Sequence, residues 1–153
     1  LWDRLIRADG HAWLWRLIKG AGTEGVGSYA GKAAWVTETS PLPGDELTAL
    51  VEAVDDVRAS LLRWMRGVDL IVSPVLPNVA LPHGVGFTPA FADSYSEVHN
   101  LTGWPAAVVR GGTSLEGLPI GVQLIGQPWR EDVALAAARV VEGALGGWQP
   151  SPL

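Results

Sequence analysis

Residues 100–126 read NLTGWPAAVVRGGTSLEGLPIGVQLIG, a stretch in which turn residues alternate with short apolar runs. A Gly-x-Pro turn precedes the apolar run 106–109, and a second run, 120–125, is rich in branched side chains. Glycines and a proline lie between the two runs, and these residues favour a surface loop. The pattern therefore predicts two buried β-strands that are joined by a loop.

The rest of the chain alternates between helical and strand-like segments. The first 18 residues have the apolar spacing of a helix, but Gly10 interrupts it, which predicts two short helices. A long helix is predicted over 46–66, with Asp45 as its N-cap. Residues 70–72 predict a buried strand, and the alanine-rich residues 130–145 predict a last helix. This order predicts an α/β fold in which helices cover a sheet.

Three features of the chain resemble the C-terminal part of the amidase signature family, serine hydrolases that cleave carboxamides. One is the run Asp-Leu-Ile-Val-Ser-Pro at 69–74, which is similar to the family's Asp–apolar–apolar–apolar–Thr/Ser–Pro strand. Another is the acidic start of the last helix. The third is a set of motif positions within 100–126, for which we expect structural roles: Asn100, Gly103, Pro105, Gly117, Pro119, Gly121, Gln123 and Gly126.

The resemblance implies the C-terminal part of the amidase signature fold, a mixed β-sheet covered by helices. Residues 1–153 would form the C-terminal portion of a single amidase domain whose N-terminal catalytic half is missing, so strand edges would be left uncovered. The first residue, Leu1, favours a truncated reading frame, with a translated TTG start as the alternative. Family members act through two serines and a lysine, with one serine in a Gly-Gly-Ser-Ser-Gly-Gly-like segment. The chain has no Ser-Ser pair, and neither Lys19 nor Lys32 lies in the family's lysine context. We therefore expect no catalytic residue in the chain.

For the intact parent, the resemblance implies an amidase that hydrolyses linear carboxamide C–N bonds through a serine acyl-enzyme. A deprotonated lysine and a bridging serine would activate the nucleophilic serine. This segment would supply scaffold and part of the substrate pocket, with no cofactor and no metal, and it would be inactive by itself. Two alternatives stay open, namely the A subunit of a tRNA-dependent amidotransferase and a non-catalytic scaffold or binding module.

Four residues are candidates for contact with the substrate. In amidotransferase-type members an acidic residue near the place of Asp93 contacts the substrate's amino group, and a turn or N-cap role is the alternative. His83 and His99 lie in or beside the proline-rich loop where the family lines its acyl pocket, with plain packing or surface roles as the alternative. Trp104 lies in the Gly-x-Pro bend, where it would wall a pocket for an acyl or aromatic group. His11 is expected on an exposed helix face.

Composition disfavours several classes of function. The net charge is −5, with 11 basic and 16 acidic residues and no basic cluster, which disfavours a nucleic-acid surface. The lack of cysteine and the three scattered histidines disfavour a metal site, and the former fits a cytoplasmic protein. No uncharged apolar run is long enough to span a membrane. The expected partner is a small-molecule amide, and the sequence leaves a homodimer open.

Overall fold

A computed structural model describes residues 1–23, 39–82 and 95–150. Within these ranges no helix is both long enough and apolar enough to cross a bilayer. The chain divides into two compact units, Leu1–Val57 and Arg58–Leu153. The described elements, in chain order, are α1 Trp2–Ile6, α2 Ala12–Gly20, α3 Gly44–Trp64, β1 Leu70–Pro74, α4 Glu97–Thr102, β2 Ala106–Thr113, β3 Pro119–Gly126 and α5 Glu131–Leu145.

The first unit confirms the two short helices and the break between them. Gly10 lies at this break with a φ of 67°, and its carbonyl accepts a hydrogen bond from the backbone N–H of Thr39 at 3.2 Å. The carboxylate of Asp9 accepts a hydrogen bond from the backbone N–H of Trp13 at 2.7 Å. This bond satisfies a backbone donor in the first turn of α2, which stabilises the start of the helix.

The expectation of an exposed His11 is wrong. His11 has a φ of 67°, immediately precedes α2 and is only 1% exposed. Gly10 and His11 are both in the left-handed region, so the chain turns sharply between α1 and α2. His11 therefore belongs to this turn and to neither helix, and its side chain is buried.

The long helix α3 is confirmed, although it begins at Gly44 and Asp45 is therefore not its N-cap. Asp45 lies in the first turn, where a carboxylate stabilises the positive end of the helix dipole. The helix ends at Trp64, and Gly67, with a φ of 80°, then turns the chain toward β1. Its predicted apolar face is only partly covered, since Leu50, Val54 and Met65 are buried whereas Leu47, Val51 and Leu62 are exposed.

The α/β fold class is confirmed, and the three described strands form an antiparallel sheet in the order β1-β3-β2. The two strands predicted within 106–125 are β2 and β3, and the predicted strand at 70–72 extends to Pro74 as β1. The prediction that all three strands are buried is wrong for β1 and β2, where Val72 and Val108 are 59% and 58% exposed, and holds only for part of β3. β3 is the central strand. Its residue Gln123 lies opposite Ser73 on β1 and opposite Val108 on β2. Within the described ranges, β1 and β2 are therefore the edge strands of the sheet, and each is paired with β3 alone.

Different groups cover the two faces of β3. On one face Ile125 is fully buried in a cluster with Met65 and Trp104. Toward the other face, α5 packs against β2 and β3. A Cβ added at Gly126 would lie 3.7 Å from the Cβ of Ala134 and 2.8 Å from the carbonyl oxygen of Arg130. The absence of a side chain at Gly126 therefore allows the start of α5 to lie close to the sheet.

The substitution Gly126→Ala should lower the free energy of unfolding by about 1–3 kcal/mol, because the new methyl group would press against the backbone of Arg130. The matched control is Gly143→Ala within α5, where an added Cβ meets no atom within 4 Å. The control should raise stability by about 0.5–1 kcal/mol, since alanine favours a helix interior over glycine. Urea unfolding of both variants measures the difference. Equal stability of the two variants would contradict the close approach of α5.

Candidate functional site

A groove of about 780 Å³ lies where β1 ends and β3 begins. It is lined by residues 74–81, by 119–121 and by Tyr95. Among these described lining residues none is charged at neutral pH, and the polar side chains are those of Asn78 and Tyr95. The volume falls in the range of small-molecule sites. Because an unpaired charge is costly in apolar surroundings, the groove suits an uncharged apolar group.

Two strand ends and a proline-rich segment build the walls of this groove. Pro74 is the last residue of β1, and the chain then leaves the sheet as one wall, 75–81. Pro119 begins β3, and Gly121 follows on the central strand. A Cβ at Gly121 would lie 3.3 Å from Cγ1 of Val108 and 3.8 Å from Cγ2 of Val75. The bare backbone at Gly121 therefore leaves room for Val108 of β2, whereas an added Cβ would make only ordinary contact with Val75.

A buried amide joins the central strand to the start of the wall. Gln123 is 3% exposed, and its Nε2 donates to Oγ of Ser73 and to the carbonyl oxygen of Pro74, each at 3.0 Å. Both donors of the amide are thus used. The acceptor on Pro74 lies at the point where β1 becomes the wall of the groove.

A second groove, of about 330 Å³, lies near the Gly-x-Pro bend. Trp104 lines it and is 6% exposed, because the indole also packs against Met65 and Ile125 in the core. Arg58 and Glu131 also line this groove, so it carries both signs of charge. Trp104 is therefore a core residue that borders the smaller groove, and it is not among the residues that line the larger one.

His99 lies in α4 and is 9% exposed. Its Nδ1 has no hydrogen-bond partner within the described part of the chain. Burial lowers the pKa of the imidazole, because desolvation disfavours the charged form. The backbone that follows His99 is held by hydrogen bonds, since the guanidinium of Arg58 donates to the carbonyl oxygens of Leu101 and Thr102 at 3.3 Å.

The structure gives local roles to several motif positions. Gly103 ends α4 with a φ of 71°, and Gly117 has a φ of 85° in the loop between β2 and β3. The carbonyl of Pro105 accepts a hydrogen bond from the backbone N–H of Gly126 at 2.9 Å. Asn100 lies on α4 and is exposed. Gly103 and Gly117 therefore turn the chain, and Pro105 and Gly126 join the two ends of the motif, whereas the structural role expected of Asn100 stays a prediction.

The remaining predicted substrate residues, His83 and Asp93, lie outside the described residues. Of the two lysines, Lys19 lies in α2 of the first unit and Lys32 lies outside the described ranges. In the described part of the chain no three metal-ligating side chains come together. Sequence reasoning missed the contact between Ser73 and Gln123. The available signal was a polar residue inside each of two apolar runs.

The comparisons with known proteins point to one family. The family model described as Amidase matches residues 42–135. The A subunit of glutamyl-tRNA(Gln) amidotransferase from Roseobacter denitrificans is 40% identical over 90 residues, which are 54% of this chain and 18% of that protein. Its counterpart from Wolinella succinogenes is 43% identical over 81 residues, which are 51% of this chain and 18% of that protein. The chain therefore spans about a fifth of the length of these curated relatives.

Solved structures share the fold over nearly the whole chain. A 6-aminohexanoate cyclic dimer hydrolase complexed with substrate superposes with a TM-score of 0.73 at 22% identity, covering 99% of this chain and 36% of that one. A fatty acid amide hydrolase gives a TM-score of 0.74 at 17% identity, covering 94% of this chain and 31% of that one. The structure of an amidase gives 0.71 at 25% identity, with coverages of 94% and 34%.

The burial of His99 predicts a dependence of stability on pH. Because the folded-state pKa lies below 6.5, the folded protein binds fewer protons than the unfolded chain near that pH. The contribution of His99 to stability should be complete above pH 6.5 and should be lost as the pH falls toward the lowered pKa. The free energy of unfolding can be measured by denaturant unfolding between about pH 7.5 and pH 5, in steps of ~0.5 pH units. As the pH falls, this free energy should decrease less steeply in His99→Gln than in the wild-type chain. Parallel profiles would contradict the buried, neutral imidazole.

Proposed function

This chain belongs to the amidase family, and we propose that it supplies scaffold and the acyl part of the substrate pocket to an enzyme that hydrolyses carboxamide C–N bonds. The chain would form the C-terminal portion of a single amidase domain. Its superposition on solved structures of which it covers about a third supports this arrangement. A cysteine-free sequence also fits the cytoplasmic location that we propose.

The observation that carries the proposal is the uncharged, apolar lining of the larger groove. An amide substrate has a neutral carboxamide and an acyl group that is often apolar, so its acyl chain can enter such a groove without leaving a buried charge. Each buried methylene contributes about 0.8 kcal/mol, which corresponds to about a fourfold gain in affinity. A groove of this kind therefore selects amides by the length of their acyl chain.

The chemistry would follow the serine acyl-enzyme route. A deprotonated lysine and a bridging serine take the proton of the nucleophilic serine, whose oxygen attacks the amide carbonyl. Backbone N–H groups stabilise the oxyanion, and the C–N bond breaks as the leaving ammonia or amine receives a proton. Water then hydrolyses the acyl-enzyme. We assign these catalytic groups to a part of the enzyme outside residues 1–153, so the chain alone would bind an amide without turning it over.

A second function is favoured by the curated relatives, which are A subunits of glutamyl-tRNA(Gln) amidotransferases. In that case the chain would belong to one component of a multi-subunit enzyme that transfers ammonia. The described lining of the larger groove has no charged side chain and so favours an uncharged amide, whereas Asp93, the candidate for contact with an amino group, lies outside the described residues. Co-purification with further amidotransferase subunits would favour the alternative.

Affinity for uncharged amides tests the proposal. In calorimetric titrations of the full chain, affinity should rise from butanamide through hexanamide to octanamide, by about fourfold for each methylene. Octanoate should bind more weakly than octanamide at about pH 7.5, because its carboxylate is charged there. Equal affinity for all three amides, or a preference for octanoate, would contradict an apolar acyl site.

A charge placed in the groove should weaken this binding strongly. Ile120 lines the groove and is 41% exposed, so Ile120→Glu should leave the fold intact while it lowers octanamide affinity by at least about tenfold. The matched control is Val140→Glu on α5, since Val140 is 71% exposed and is not among the lining residues. The control should bind octanamide like the wild-type chain. A similar loss in both variants would show that binding does not occur in this groove.

The catalytic part of the proposal has a separate test. The purified chain should release no ammonia from octanamide above a protein-free blank. Release above the blank would overturn the assignment of the catalytic groups to another part of the enzyme.

A further inference from the structure

Gln123 and Ser73 are polar residues inside otherwise apolar strand segments, Ile-Gly-Val-Gln-Leu-Ile and Leu-Ile-Val-Ser-Pro. They lie directly opposite each other in the sheet. Gln123 is almost fully buried, and a buried amide is destabilising unless its donors are paired. An apolar side chain would fill the same space and would need no hydrogen-bond partner. We therefore expect a role of the Gln123–Ser73 pair other than packing.

The position of Gln123 indicates that role. Side chains alternate along a strand, so Gly121, Gln123 and Ile125 share one face of β3. Ile125 belongs to the core and Gly121 lines the larger groove. Gln123 lies between these two residues on β3, at the boundary between the buried core and the groove. It is not itself among the residues that line the groove.

The hydrogen bonds of Gln123 hold the place where the wall leaves the sheet. Pro74 has no backbone N–H and cannot donate to the strand ladder at this point. The side chain of Gln123 supplies a bond there by donating to the Pro74 carbonyl, and its second donor reaches the hydroxyl of Ser73. Two consecutive residues at the end of β1 are therefore fixed by one amide.

We propose that Gln123 is a positioning residue, which through Ser73 and Pro74 fixes the wall 75–81 and so sets how tightly the groove holds an acyl chain. The effect on acyl binding rests on the function proposed above, whereas the effect on the wall does not. Without the amide, Pro74 loses a bond at the end of β1, and the wall can move away from Gly121. The groove then widens and contacts along the acyl chain are lost.

The chain contains a matched control for this role. Gln127 also donates twice through Nε2, to the carbonyl oxygens of Met65 at 3.3 Å and Val68 at 2.9 Å. These bonds hold the turn that follows α3, and Gln127 is not among the residues that line the larger groove. Gln127 is only partly buried, so the two variants are compared by their effects on the wall and on octanamide binding, and not by the size of their loss of stability. If the hydrogen bonds of Gln123 only stabilised the fold, Gln123→Leu would change the wall no more than Gln127→Leu does.

The test compares the stability of the wall and the affinity for octanamide in the full chain. Hydrogen exchange followed by mass spectrometry should show faster exchange in residues 75–81 for Gln123→Leu than for Gln127→Leu, while both variants are less stable to urea. Octanamide affinity should fall by about tenfold in Gln123→Leu, and the gain in affinity per methylene should become smaller. In Gln127→Leu, the affinities for the three amides should equal those of the wild-type chain.

Milder variants keep the test decisive if Gln123→Leu does not fold. Ser73→Ala should give a smaller change of the same kind, and Ser73→Thr, which keeps the hydroxyl, should restore wild-type behaviour. Unchanged exchange of residues 75–81 in both Gln123→Leu and Ser73→Ala, or an equal change in Gln127→Leu, would overturn the positioning role. If the wild-type chain binds no octanamide, the proposed function fails, and hydrogen exchange still decides the role of Gln123.

Discussion

The pairing of the central strand on both of its edges is the constraint on which the second unit depends. β3 is hydrogen-bonded to β1 and to β2, and its residues Leu124 and Ile125 are 1% and 0% exposed. Full burial of such side chains contributes about 1.5–3 kcal/mol each. Because their side chains point to opposite faces, the strand must be covered on both sides, by α5 on one and by Met65 and Trp104 on the other. This double cover fixes the register of the sheet, since a slip of one residue would exchange the two faces.

The same register determines where the groove forms. Once Ile125 lies in the core, alternation places Gln123 opposite Ser73 and Gly121 at the end of the sheet. β1 ends at Pro74, and the wall 75–81 leaves the sheet there to line the groove together with Gly121 of β3. Strand pairing therefore places the groove at this end of the sheet, and the amide of Gln123 links β3 to the start of the wall.

Much of this architecture could be predicted from local patterns. The apolar runs and the turns between them predicted β2 and β3, and the helical spacing predicted α3, because each signal lies within one segment. The start of α3 at Gly44 was not predicted, since Asp45 has the side chain of an N-cap but lies inside the first turn. The burial of His11 was missed because it depends on two consecutive left-handed residues.

Contacts between distant segments were harder to predict. The larger groove brings 74–81 beside 119–121, and its walls are separated by the whole of α4 and β2 in the sequence. Arg110 is a similar case, because this residue of β2 donates to the carbonyl of Leu145 at the end of α5 at 3.4 Å. The last turn of α5 has no basic residue of its own, so a cation from the sheet stabilises its negative end. Such contacts depend on the tertiary fold, which no single segment of the sequence specifies.

The most direct test of the central claim is to locate where an uncharged amide binds to the chain. In nitrogen-15 correlation spectra recorded during a titration with octanamide, we expect the largest shifts at Val75, Ile120 and Gly121. Shifts concentrated at the indole N–H of Trp104 and at its neighbours in the smaller groove would contradict this expectation.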